Sequence, residues 1–95
     1  MEIKYCRIIY EGCIVDVAAI AIKEGLDRLT ALDRATRRRI MKRTQNNLDS
    51  FLSKIQRKLP VTDQEKQDFC DDVGIWFAEQ VRNGKHEQYY HGKMQ

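Results

Sequence analysis

Six cations, Arg34, Arg37, Arg38, Arg39, Lys42 and Arg43, fall within ten residues that contain no acid. An arginine guanidinium is a planar fork that makes paired hydrogen bonds to phosphate or carboxylate, so a block rich in it suits a polyanionic ligand. Near the start of a helix, cations oppose the macrodipole at roughly 0.3–1 kcal/mol each when exposed, and like charges at i and i+4 add to that cost. Stability therefore does not select the arrangement, and the block is the leading candidate binding surface. Two ligand classes fit it, the acidic surface of a protein partner and the phosphates of a nucleic acid. No aromatic residue is interleaved with the block, so bases would find no stacking platform there, and the acidic protein is the preferred reading. The plain alternative is a solvated helix face.

Other residues offer less chemistry. Cys6, Cys13 and Cys70 are an odd number with no CxxC pair, which argues against a disulfide framework or a zinc knuckle, and no metal or cofactor is expected. If residues 3–29 are helical, Cys6 and Cys13 share a face with their Cα atoms ~10 Å apart, beyond the ~7 Å reach of a disulfide, and both read as apolar core thiols. Trp76, Tyr89 and Tyr90 are candidate interface residues, the tyrosines because nothing in the local pattern buries them. No GxSxG, Walker loop or HExxH motif occurs. Arg82 and His86 are close in sequence, and His91 follows in the tail. The run Arg82-Asn83-Gly84-Lys85-His86 resembles the arginine–histidine pattern of HEPN-type ribonucleases, which implies a helical nuclease using those two residues. The family's spacing is longer, and Asn83-Gly84 reads as a helix end. The expectation is a protein that is not an enzyme.

These residues must be positioned by a small set of elements. At 100° per residue, Ile3, Cys6, Ile9, Tyr10, Cys13, Ile14, Val17, Ile20 and Ala21 fall on one side of a helix, with Ile8, Val15, Ala19, Ile22, Leu26 and Leu29 on the other. The spacing predicts a helix over about 3–29 that is apolar on two faces. The competing reading is a strand over 2–10 broken at Gly12, against which the alternation is imperfect and no partner strand is visible. Thr30 with Asp33 resembles a capping box, and Met41, Thr44, Leu48, Phe51, Leu52, Ile55 and Leu59 continue a second helical stripe until Pro60. This predicts a helix over 31–58, ~42 Å long. Thr62 with Glu65 is a stronger capping box, followed by Phe69, Cys70, Val73, Trp76 and Phe77 on one face and a stop at Asn83-Gly84, giving a third helix over 63–82. The residues after it, 85–95, read as a tail or a short docked turn.

The resulting expectation is an all-α fold: an antiparallel bundle of three long helices, forming one domain over 1–84. In that bundle Arg82 and Lys85 join the cationic pole. A first helix apolar on two faces exceeds what two neighbours can cover, which predicts an oligomer. The chain has 95 residues and a net charge of only +3, so it is the local block rather than the total that matters. The N-terminus lacks the pattern of a signal peptide, no apolar run approaches a membrane span, and the odd cysteine count suits a reducing compartment, so a cytoplasmic location is expected. Small basic helical proteins without catalytic motifs fit the role of regulators or inhibitors, including those carried by phages and other mobile elements.

Overall fold

A computed structural model describes residues 2–90. It corrects the all-α expectation: the chain is α+β, a β-hairpin followed by three helices and a short 3₁₀ turn. Residues 3–29 do not form one helix. Strands β1 (Tyr5–Tyr10) and β2 (Cys13–Ala18) pair antiparallel, with Ile8 opposite Val15, Arg7 opposite Asp16 and Tyr10 opposite Cys13. The turn is Glu11-Gly12, with φ of 47° and 79°. Two left-handed residues are what a two-residue hairpin loop requires, because that backbone twist matches the twist of the strands. Ile8, Tyr10, Val15 and Val17 point inward and are buried, while Tyr5, Arg7, Ile14 and Asp16 point outward. The turn reverses the chain and restarts the alternation on the second strand. Across the join, a period of two therefore imitates the i, i+3, i+4 spacing of a helix.

Helix α1 (Ala19–Ala31) follows directly, and the Ala19 amide donates to the Lys4 carbonyl at 2.8 Å, extending the hairpin ladder by one step. Ile22 and Leu29 are its buried residues. Thr30 does not cap the next helix, as the sequence suggested. It lies inside α1, its hydroxyl donating to the Leu26 carbonyl at 2.7 Å. Helix α2 (Arg34–Gln56) instead starts at Asp33, whose carboxylate accepts from the Thr36 amide.

Helix α3 (Asp63–Arg82) has the predicted bounds and the full capping box, with Glu65 N–H donating to the Thr62 hydroxyl and Thr62 N–H donating back to the Glu65 carboxylate. Both long helices end in the same device. Lys58 N–H donates to the Ile55 carbonyl and Leu59 N–H to that of Lys54. Gly84 N–H donates to the Val81 carbonyl and Lys85 N–H to that of Gln80. Each is the paired-bond ending with a left-handed residue, Lys58 (φ 58°) and Gly84 (φ 72°), just past the helix.

The central element is α3, which packs against α1, α2, β2 and the C-terminal turn. Phe69, Val73, Phe77 and Ala78 form its buried stripe and meet Ile8, Tyr10, Val15, Val17, Ile22, Leu29 and Leu48 in one core. Gly74 permits the closest approach, since a Cβ there would sit 3.1 Å from Val17 Cγ1. The doubly apolar first helix that implied an oligomer is absent. Its two supposed stripes each mix inner-face residues of the hairpin, Cys6, Tyr10, Cys13 and Val17 in one and Ile8 and Val15 in the other, with residues of the outer face or of α1.

The segment after α3 folds back. The 3₁₀ turn (His86–Tyr89) leads to Tyr90, which bridges antiparallel to Ile8 on the free side of β1. Tyr10 contacts Trp76 edge-on at 4.8 Å between ring centroids, Trp76 contacts Tyr89 at 4.6 Å, and Phe77 contacts Tyr90 at 5.2 Å. The half-buried rings of Trp76, Tyr89 and Tyr90, set against the buried Tyr10 and Phe77, tie the C-terminal segment to β1 and α3. His91 and the other tail residues beyond 90 lie outside the described residues. No helix among the described residues is long and apolar enough to cross a membrane.

Candidate binding surface at the start of α2

A two-residue connection, Leu32-Asp33, turns the chain from α1 into α2. Hydrogen bonding from the Thr36 hydroxyl and amide holds the Asp33 carboxyl below the usual carboxylate range. Arg37 also serves the turn: its Nη1 donates to the Leu32 carbonyl at 3.0 Å, which leaves the side chain half-buried. The other five cations, Arg34, Arg38, Arg39, Lys42 and Arg43, are exposed. The reason is the inward stripe of Ile40, Met41, Thr44 and Leu48, which fixes the rotation of α2 and leaves those five spread over the solvent half.

Among the described residues, none of these six forms an ion pair. The cations that do are elsewhere: Arg7 with Asp16 at 3.1 Å, Lys54 with Glu65 at 2.6 Å, Lys66 with Asp63 at 3.9 Å, and Arg82 with Glu79. The block's charge is thus left for solvent or a ligand. Of the residues expected to join it, Arg82 is committed to Glu79 and to the Asn83 side-chain oxygen, and Lys85 sits exposed in the turn that ends α3.

The block has an acidic border. Arg43 lines a cavity of ≈ 230 Å³ where α1, α2 and α3 meet, with Arg28, Thr44, Asn47 and Asp72 around it. Desolvation raises the Asp72 carboxyl above its ordinary range, the nearby Asp68 and Asp71 charges add to this, and Arg43 and Asn47 partly offset it. A wider cleft of ≈ 470 Å³ between α2 and α3 continues from there, lined by Ser50, Lys54, Glu65 and Asp68 over the stacked rings of Phe51 and Phe69. The cationic surface therefore ends at Arg43 and gives way to carboxylates within the next turns.

Comparisons with protein families, with curated proteins and with solved structures return no match. What the chain does has to be read from its own geometry.

The other sequence candidates separate from this surface. Trp76, Tyr89 and Tyr90, expected as interface residues, pack within the chain, Trp76 on Tyr10 and Tyr89, and Tyr90 on Phe77. His86 is edge-on to Phe77 and Tyr90, and its buried Nδ1 has no hydrogen-bond partner. It does not meet Arg82 in a hydrogen-bonded pair. Cys6 and Cys13 lie on opposite strands rather than two turns apart on a helix, and burial pushes the Cys6 and Cys70 thiols up. Among the described residues no cluster of three His, Cys, Asp or Glu is arranged to hold a metal. Sequence reasoning missed Asp72, whose position beside Arg43 depends on the α2–α3 packing. It also missed the Tyr10 hydroxyl, which accepts from Gln45 at 2.6 Å and pins the hairpin to α2.

Proposed function

We propose that this chain is a non-enzymatic interaction protein, a regulator or inhibitor that binds an acidic surface on a protein partner through the exposed side of α2 from Arg34 to Arg43. The observation carrying this reading is that six cations with no acid among them sit on one stretch of α2 and, among the described residues, none of them forms an ion pair, whereas Arg7, Lys54, Lys66 and Arg82 elsewhere in the fold do. Five exposed side chains on ten helical residues make a footprint ~15 Å long. The acidic border formed by Asp72, Asp71 and Asp68 favours a protein over a nucleic acid, because a phosphate polymer running past the block would meet those carboxylates. A partner with a local acidic patch would not.

One feature favours the second reading, a nucleic-acid-binding regulator. The exposed cations occupy both flanks of α2, as a helix lying between two rows of phosphates would need. The two readings separate on salt and on charge reversal. Affinity capture from the native host with the wild-type chain should return a stoichiometric protein partner, lost when Arg38→Glu and Lys42→Glu are combined. If instead duplex DNA or RNA binds with an affinity that falls linearly in log salt, and the same double substitution removes it, the phosphate reading replaces the acidic-protein one.

A further inference from the structure

The hairpin has a second face that the fold does not use. Its outward ladder pairs Arg7 with Asp16 at the centre, Ile9 with Ile14 towards the turn and Tyr5 with Ala18 towards the open end. Ile3 precedes this ladder and Ile20 follows it in the first turn of α1. Ile3, Tyr5, Ile14 and Ile20 are 62%, 62%, 56% and 63% exposed, and they are four of the six large apolar side chains left exposed among the described residues. A hairpin alone is marginally stable in water, and apolar side chains gathered on one sheet face mark an association surface.

The charges on this face identify the occupant. It carries one guanidinium and one carboxylate, side by side on neighbouring strands and joined at 3.1 Å. We infer that the outer face of the hairpin is a homodimer interface that packs against the same face of a second copy. A two-fold axis running between the strands and parallel to them places each Arg7 over the partner's Asp16, and Ile9 over the partner's Ile14. It likewise sets Ile3 and Tyr5 against the partner's Ile20 and the partner's Ala18. The apolar pairs close over both ends of a four-charge centre in which every charge has opposite neighbours within and across copies. A two-fold interface must be self-complementary in this way. A face bearing two charges of one sign would repel its own copy. The surface is distinct from the α2 block, so its failure would leave the proposed function untouched.

The test is sedimentation or light scattering of the purified chain at about 100 µM, where a micromolar dimer is nearly fully formed. The expected mass is twice the 11.2 kDa of one chain. Ile14→Lys should halve it while leaving the far-ultraviolet circular dichroism unchanged, because Ile14 points outward and is 56% exposed. Arg7→Asp and Asp16→Arg should each be monomeric alone and form a one-to-one heterodimer when mixed, since one face then carries only acids and the other only cations. A monomeric wild type overturns the inference. So does a dimer that survives Ile14→Lys, or a pair of charge variants that fails to associate on mixing.

Discussion

α3 opens on Thr62, Asp63 and Glu65: a reciprocal cap, with acids where the helix dipole favours them. α2 opens on Asp33 and then Arg34, with no acid in its first turn and five more cations in the next two and a half turns. The two helices are similar in length, at 20 and 23 residues, and pack against each other. Yet α3 buries Phe69, Val73, Gly74, Phe77 and Ala78, whereas α2 buries only Thr44 and Leu48. One helix is composed for folding. The other carries in its first half a charge arrangement that folding disfavours, which is the signature expected where a surface is kept for something outside the chain.

That contrast can be broken or sharpened by substitution. The largest effect should come from the α3 core: Phe77→Ala removes a side chain 1% exposed and should cost about 3–5 kcal/mol, read by urea unfolding. Thr62→Ala removes the hydroxyl half of the capping box and should cost about 1 kcal/mol in the same assay. The sign should then reverse on α2. Arg34→Glu places an acid in its first turn and turns a like-charged pair with Arg38 into an opposite one. It should stabilise the fold by about 0.3–1 kcal/mol while weakening capture of the partner. A loss of stability there would mean that Arg34 is structural and that the two helices do not differ as described.

The smallest expected effect is on pH dependence, and it divides α3 itself. Glu65, held below its ordinary range chiefly by the Lys54 ammonium, contributes stability above the unfolded carboxylate range that is lost as pH falls through its folded pKa. Asp72 is raised, so its ionised form destabilises the fold, and that penalty is relieved as pH falls through its folded pKa. Asp72→Asn should therefore raise Tm at neutral pH, with the difference from wild type shrinking as pH approaches about 4. Glu65→Gln should lower Tm at neutral pH and converge on the wild type only at lower pH, as Glu65 protonates below the ordinary carboxylate range. If both variants move Tm in one direction, the assignment of opposite environments is wrong.

Legibility in the sequence followed how local the deciding forces were. Thr62 with Glu65, the stripe from Phe69 to Phe77, and Asn83-Gly84 all act within a few residues, and the third helix appears with the bounds they imply. Pro60 and the left-handed Lys58 likewise end α2 close to where its periodicity stops. The first thirty residues were misread because Gly12 follows a glutamate rather than the asparagine or aspartate that announces a tight hairpin. The shift of alternation across the turn then matched a helical stripe. The β-branched runs around Ile8-Ile9 and Ile14-Val15 were the available signal. The cationic block was visible from residue types alone. Its exposure, its lack of partners and its acidic border were not.

Residue order by itself determined the capped third helix, the long second one, and the presence of an arginine-rich surface, because propensity, capping and charge spacing are properties of neighbours in the chain. Only the tertiary structure decided that the N-terminus is a hairpin and α3 the hub, that Tyr89 faces Trp76 and Tyr90 faces Phe77, and that Asp72 borders Arg43. Those outcomes depend on contacts between separate elements rather than between near neighbours in the chain. Such contacts are selected by which apolar faces can be buried together, and no local pattern records that choice.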